Sequence, residues 1–388
     1  MRDDIDVIVV GGGVVGSCVA GFLAEAGKGV MLVDGGRGGG STANAGSLHV
    51  QMQSRFMQLY PQNVPGMQRQ LPLYPKAVRF WQSFEKKLGA DFEIKKNGGL
   101  MVAETEEQLA FLHTKATQER LLGLEVDILN RADLDRMAPY LGPAVIGAEI
   151  CFDEGKLNPL KCNAAIRRWL ISLGVVLREA EAVTTLVRET SGFRVETAKG
   201  ATLRAGALVL ATAAGTTPLA SQLGITIPAR AEPLHMNITE ATAPMIGHLV
   251  QHADRMITLK QFATGQIVIG GGWPADIVGD RNHPTVRLDS LIANATLARH
   301  IAPQIAPLRI IRTWAGVNTS VDGKGVLGPV SSVPGLHFAI PGDAGYTLGP
   351  LSGAMVANMV LGRDPGEDMT DYTPMRFAQS SLSGAKTA

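Results

Sequence analysis

Little in this chain points to disulfides, metal ions, nucleic acid or a bilayer. Its 388 residues contain only three cysteines, Cys18, Cys151 and Cys162. They lack C-x-x-C spacing, so the sequence encodes neither a disulfide framework nor a metal site. Cys18 lies in an apolar stretch and reads as a small buried hydrophobe. A formal net charge of +1 leaves no electrostatic footprint for nucleic acid or an anionic membrane. No apolar run approaches a transmembrane segment. The residues MRDDIDVIVV run directly into a strand pattern, without the charged and apolar regions of a secretory signal. The expected location is therefore cytoplasmic. What remains is a composition of 45% hydrophobic and 18% charged residues, that of a globular protein long enough for two or three domains.

Residues 6–34, DVIVVGGGVVGSCVAGFLAEAGKGVMLVD, read as strand, glycine turn, helix and a second strand ending in an acid. Gly11, Gly13 and Gly16 fill G-x-G-x-x-G: one glycine for the tight turn, one for close approach of a pyrophosphate, one for helix–strand packing. The N–H groups opening the helix face the phosphates. Asp34 stands where a carboxylate accepts the hydroxyls of an adenosine ribose. The motif implies a dinucleotide and leaves NAD versus FAD open.

A simple NAD-binding fold continues with further βα units. Here residues 35–75 are instead rich in Gly, Ser, Asn, Gln, Met and Pro, and read as extended chain laid along a large ligand. Helical spacing returns at 76–92, where Val78, Trp81, Phe84 and Leu88 share a face, and at 106–123, 131–141, 158–174 and 285–302. Residues 93–103 read as strands broken at Gly98-Gly99. A β-meander is expected over 175–207, a buried strand at 207–215, a hairpin around Thr264-Gly265, and strand, loop and helix over 336–361. The tail after Tyr372 is expected to fray. The fold class expected is α/β (α+β). A Rossmann-like dinucleotide domain (1–75, 145–220 and 320–370) is interleaved with a substrate domain built on an antiparallel β-sheet (76–144 and 221–319). That interleaving favours a flavin fold.

These residues resemble the D-amino-acid oxidase, glycine oxidase and sarcosine oxidase superfamily of FAD-dependent amine oxidoreductases, over nearly the whole chain. The glycine turn with Asp34, GGGSTANAG (38–46), VLATAAG (209–215), and DGKGVLGPV with GDAGYTLGP (322–330, 342–350) carry the resemblance. Within it, STANAGSLHVQ, GGLMVAET, EGKLNPL, RTWAGVN and GYTLGP look like the FAD subunits of opine oxidases. The resemblance implies non-covalent FAD, since the run Ser41-Thr42-Ala43-Asn44-Ala45 has no histidine for covalent attachment. It implies cofactor contacts from Gly11, Gly13, Val14, Val15, Gly16, Asp34, Gly35 and Arg37 at the adenosine end, and from Ser41, Thr42, Ala45, Gly46, Ser47 and Leu48 along the wrapping segment. Val183, Ala211, Thr212, Ala213 and Gly215, and Gly342, Gly345, Tyr346, Thr347 and Leu348 complete the set. It also implies partners: a second flavoprotein or nucleotide-binding chain and a small iron–sulfur chain.

The reaction implied is oxidation of the C–N bond of an opine-like, cyclic or N-alkyl amino acid by hydride transfer to the flavin, giving an imine that hydrolyses to a 2-oxo acid. Four residues are the candidates for catalysis. His49 contacts substrate or flavin, or takes a proton from a secondary ammonium; the alternative is a structural histidine. Tyr346 lines the substrate cavity or lies on the surface. Lys260 floors the pocket or is a solvated strand lysine. Asn318, in Trp314-Ala315-Gly316-Val317-Asn318, replaces the arginine that clamps the substrate carboxylate in glycine oxidase-like members. An amide supplies no bidentate charge, so Arg312, Arg255 or Lys260 has to supply it, or the substrate binds differently. Val268 occupies the place of an oxygen-activating lysine found in some sarcosine oxidases, which favours a dehydrogenase over an oxidase. The competing readings are a D-amino-acid dehydrogenase or glycine-type oxidase acting alone, an electron-relaying flavoprotein subunit, and a plain NAD(P) dehydrogenase.

Overall fold

A computed structural model describes residues 5–36, 39–279 and 283–377. Two sheets organise it. The first has six strands in the order Val326–Pro329, Leu336–Ile340, Ala207–Leu210, Val7–Val10, Val30–Val33 and Val176–Arg178. All neighbours are parallel except the outermost pair, 326–329 with 336–340. Val7–Val10, Val30–Val33 and Leu208–Leu210 are buried, as expected of a parallel sheet covered on both faces.

The second sheet has eight strands: Ile310–Ser320, Arg230–Ala241, Gln266–Gly270, Thr258–Gln261, Leu249–His252, Gly99–Ala103, Gly147–Cys151 and Val126–Asn130. It is antiparallel apart from the pairing of 249–252 with 99–102. A separate three-stranded antiparallel sheet spans Val183–Glu189, Gly192–Thr197 and Thr202–Ala205.

Six helices of twelve residues or more are present among the described residues: α1 (Val14–Glu25), α2 (Leu73–Leu88), α3 (Glu106–Leu121), α4 (Pro159–Ser172), α5 (Leu288–Ile301) and α6 (Gly349–Val360). Their ends follow capping rules. Asn158 caps α4 by accepting from Leu160 and Lys161 N–H with Pro159 at the first turn, and Thr105 caps α3 through Gln108 N–H. Gly89, left-handed at φ 55, ends α2.

The structure corrects four expectations. Residues 35–75 are not extended throughout: Ser54–Leu59 and Val64–Gln70 are helical. Their apolar residues are too few and too scattered to show a period over six or seven positions. Val176–Arg178 leaves the expected meander and pairs with Val30–Val33 in the parallel sheet. Gly147–Cys151, assigned to the dinucleotide domain, pairs instead with 99–103 and 126–130 in the second sheet. Helix α2, assigned to the substrate domain, packs on α1, α4 and α6, with Phe22, Phe80, Phe84, Trp81 and Trp169 in mutual ring contact at 5.2–6.3 Å. Past Tyr372, Pro374–Phe377 forms a 3-10 turn tied by Arg376 to Asp322 at 2.8 Å; the rest of the expected fraying tail lies outside the described residues.

Helices α1 and α6 approach closely because small residues face each other. A Cβ on Gly353 would sit 2.5 Å from Cys18 Cβ and 3.2 Å from Val15 O. Alanine at Gly353 gains about 1 kcal/mol of helix propensity but overpacks the contact at about 1–3 kcal/mol. Gly353→Ala is therefore expected to lower the unfolding free energy by up to about 2 kcal/mol, measured by denaturant titration of the flavin-loaded protein.

Candidate active site

The site begins at the end of the strand Val7–Val10. Gly11 has φ +106 and a Cβ there would collide with Ala211 O; a Cβ on Gly16 would collide with Gly11 O. Only glycine permits this turn and this helix–strand approach. Helix α1 then starts at Val14 with Gly13 as N-cap, no side-chain cap and no acid in its first turn. Val14 N–H is taken by Ser41 Oγ at 2.9 Å, which ties the wrapping segment to the helix start. Val15 is half-buried beside it.

Asp34 Oδ1 accepts from Gly12 N–H at 3.1 Å. Its backbone is bracketed by Arg178 O and Glu181 N–H, each at 2.8 Å. Gly35 lies against Ala182, next to Val183, the half-buried first residue of its strand. Ala211 N–H bonds Val10 O, and Thr212 Oγ1 pairs with Thr216 Oγ1. Ala213 holds φ 52, a left-handed conformation unusual for a residue with a Cβ. Gly215 N–H returns to Thr212 O. Arg37 lies outside the described residues.

The wrapping segment runs from Gly39 to Gln53 between the two layers. Thr42 is exposed and bonds Gly39 O, while Ala45 is half-buried. Trp314 Nε1–H donates to Ala43 O at 2.8 Å, and a Cβ on Gly316 would come within 2.6 Å of Ala43 Cβ, so the segment lies flat on the strand Ile310–Ser320. Gly46, at φ +78, passes against Leu157, Pro159 and Phe262. Ser47 and Leu48 pair with Lys156 and Gly155; Leu48 is fully buried.

The loop before α6 closes over this segment. Gly342 has φ +86, and Gly345 sits in the turn beside it. Thr347 Oγ1 accepts His49 N–H at 3.1 Å, and Leu348 is buried ahead of the helix. Tyr346 does not lie on the surface. Its ring is buried and stacked on Trp81 at 5.4 Å and 11°. Its hydroxyl donates to Asn163 Oδ1 at 3.0 Å, and Asn163 in turn donates to Ser41 O. With Trp81 Nε1–H bonded to Tyr346 O and Thr347 O, the buried tyrosine braces the loop.

The other three candidates lie on or beside the second sheet. Lys260 pairs with Val268, Thr258 with Gln251, Gln251 with Met101, and Met101 with Glu149. Cross-strand partners share a face, so these side chains form one surface. Leu100, Ile150, Val250, Leu259 and Ile269 form the other surface, covered by Leu297, Ala298 and Ile301 of α5. Lys260 is fully buried and its Nζ has no hydrogen-bond partner among the described residues. Burial, then the charge of Lys156, pushes it down to about 7. Lys156 is itself held down to about 8 by burial and Lys95. His49 is pushed down to about 4 by burial, then by Lys260, against a weaker upward pull from Gln251.

Asn318 is occupied: its Nδ2 donates to Glu232 Oε2 and Asp343 Oδ1, both at 3.3 Å. Of the alternative cations, Arg255 is paired with Glu104 at 2.8 Å, and Arg312 is exposed over the Trp314 ring. Lys260 alone of the three is both buried and uncompensated.

A buried polar cluster behind His49 was missed from the sequence. Glu154 accepts from Val50 N–H (2.7 Å), Gln51 N–H (3.1 Å), Gln51 Nε2 and Gln251 Nε2 (both 2.8 Å). Lys115 bonds Gln51 Oε1 and pairs with Glu149 and Glu119; Glu119 accepts Met52 N–H at 2.6 Å. The only sequence signal was an acid inside the apolar strand GAEIC, together with the matching run EGKLNPL.

The acid-free start of α1, the side-chain-free turn at Gly11–Gly13 and the second carboxylate oxygen of Asp34 suit a dinucleotide's phosphates and ribose. The chain belongs to the DAO family of FAD-dependent oxidoreductases, whose model matches residues 6–359. An opine oxidase subunit of Rhizobium meliloti is 24% identical over 386 residues, covering 96% of this chain and 98% of that one. The crystal structure of glycine oxidase from Geobacillus kaustophilus matches with a TM-score of 0.83 at 23% identity, over 96% of this chain and 98% of that chain. That of L-proline dehydrogenase from P. horikoshii has the same TM-score, 0.83, at 21% identity, over 98% and 99%. The dinucleotide is FAD.

Because Gly11 admits no Cβ, Gly11→Ala is expected to purify folded by circular dichroism, with bound flavin per chain reduced about tenfold or more, read from visible absorbance after gel filtration.

Proposed function

We propose that the chain oxidises the C–N bond of a secondary amino acid carrying at least one carboxylate, opine-like or N-alkyl, to an imine that hydrolyses to a 2-oxo acid and an amine. The observation that carries this reading is that the uncompensated Lys260 lies close enough for its charge to act on His49. The imidazole is neutral and so has a lone pair to accept a proton in passing, and a buried positive field suits a carboxylate. When bound, FAD accepts the hydride equivalent. The residues that would hold it are those of the Gly11–Gly16 turn, Asp34, the segment 41–48 and the loop 342–348. The N-terminus of α6, opened by Pro350 in its first turn, would stabilise negative charge arising on the flavin.

His49 takes the proton that leaves the substrate nitrogen, freeing its lone pair to assist loss of the α-hydrogen. Lys260 and Lys156 make this end of the site positive, so an entering carboxylate is drawn beside His49. Asn318, held by two carboxylates, cannot also serve as the clamp found in glycine oxidase-like members. That favours opine-like donors over simple D-amino acids. The similarity to an opine oxidase subunit supports a multi-chain assembly, with a second flavoprotein or nucleotide-binding chain and an iron–sulfur chain as the proposed partners. Val268, at the position of the oxygen-activating lysine, supports an acceptor other than O₂.

Anaerobic mixing with octopine, nopaline, sarcosine, D-hydroxyproline and D-alanine tests the reading by bleaching of the flavin. Opine-like or secondary amines are expected to bleach it and D-alanine is not; the reverse outcome defeats the proposed substrate class. Lys260 carries its charge below about pH 7 and loses it above. The dissociation constant of a carboxylate substrate is therefore expected to rise as pH goes from about 6 to 8. In Lys260→Met that dependence should flatten, leaving the weaker contribution of Lys156, with binding weakened about tenfold or more at pH 6, measured by the amplitude of bleaching against substrate concentration.

A further inference from the structure

We propose that Glu154 is a positioning residue for His49, orienting the imidazole so that its outward nitrogen receives the proton of the bound ammonium. The proposal rests on the amine-oxidation reading above. Glu154 is fully buried, yet its four hydrogen-bond donors are neutral amides. Lys115, the cation whose charge acts on Glu154, is engaged by Glu119 at 3.1 Å and Glu149 at 2.8 Å. Among the described residues, the one group able to bring a positive charge within ion-pair distance of Glu154 is His49, whose Nδ1 lies 4.0 Å from Oε1.

The geometry fixes both the backbone and the ring. Two of the amides on Glu154, Val50 and Gln51, directly follow His49 in sequence, and Thr347 holds His49 N–H. Nδ1 is buried without a hydrogen-bond partner, while the side chain as a whole is 29% exposed, so the exposure belongs to the rest of the ring. A carboxylate facing Nδ1 selects the Nδ1–H tautomer and leaves the Nε2 lone pair free as a base. The proton then passes from the substrate N–H to Nε2. The imidazolium formed keeps its Nδ1–H directed at Glu154, and the substrate nitrogen keeps the electron pair of the broken bond. Lys260, from the strand Thr258–Gln261, opposes that imidazolium; Gln251, from the strand Leu249–His252, favours it weakly. Glu154 is the remaining charged group facing the ring and the one able to balance it. Burial holds its carboxyl up to about 7, so the balancing charge grows through the neutral range.

The test is the limiting rate of anaerobic flavin reduction at saturating secondary amine, followed from about pH 6 to 10, in the wild type, Glu154→Gln, His49→Asn and the double variant. Glu154→Gln and His49→Asn are each expected to slow reduction roughly 10–100-fold near pH 7. Both should converge on the wild type near pH 10, where the amine enters unprotonated, and the double variant should be no slower than His49→Asn. Independently, ¹⁵N-histidine spectra of the flavin-loaded protein without substrate should show the Nδ1–H tautomer of His49, lost in Glu154→Gln. A loss that is equal at every pH, additive effects in the double variant, or an Nε2–H tautomer in the wild type would overturn the proposal. If Glu154→Gln does not fold, the His49→Asn profile and the wild-type tautomer decide by the same criteria. Wild-type flavin that no secondary amine bleaches would defeat the oxidation reading and this proposal with it. Normal bleaching with unshifted variants defeats this proposal alone.

Discussion

The buried carboxylate of Glu154 joins the parts on which the site depends. It sits in the turn between the strand Gly147–Cys151 and the pair Gly155–Lys156, and collects amides from the wrapping segment (Val50, Gln51) and from the second sheet (Gln251). Hydrogen bonds to a charged acceptor contribute about 1.5–3 kcal/mol each. Burying the charge costs several kcal/mol. The balance is modest, but removing the acceptor would leave four buried donors unsatisfied. The segment beyond Leu48 is therefore fixed by an interaction that is costly to break more than by one that is strong to make. Met52 N–H on Glu119 extends the same logic one residue further.

A second constraint is the meeting of two helix starts. Gly353 lets α6 lie against Cys18 and Val15 of α1, which brings both N-terminal ends to the same side of the parallel sheet. The Trp81–Tyr346–Asn163–Ser41 chain then ties the loop before α6 to the segment that also meets Val14 N–H. The positions of both helix starts, which carry partial positive charge, are thus set by packing of small residues and one aromatic stack.

Legibility followed the range of the signal. The Gly11–Gly16 turn and Asp34 were readable because a steric requirement within 30 residues leaves few alternatives. The buried strand 207–210 was readable because parallel strands are continuous apolar runs. Membership of Gly147–Cys151 and of α2 was not, because which sheet or layer an apolar element joins is decided by distant partners. Lys260 was visible as a strand lysine, but its burial depended on knowing that its face of the strand turns inward. The Glu154–Gln51–Lys115 cluster was the least legible. Its members are scattered along the chain, and each looks like an ordinary surface polar residue until all are packed together.

The distribution of charge around the site argues for how a substrate lies in it. At one end Asn318 is flanked by Glu232 and Asp343, so the position that is cationic in glycine oxidase-like members is here bordered by acids. At the other end Lys260 and Lys156 are buried, and the Lys260 ammonium has no partner among the described residues. The charge of Lys156 lowers the tendency of Lys260 to hold its proton. A molecule with a carboxylate and a basic group spaced apart would lower the energy of both ends at once. A small zwitterion could satisfy only one. Complementarity of this kind discriminates mainly by penalising the wrong orientation. On the proposed reading, the acids beside Asn318 would change which way a substrate points before they change how tightly it binds.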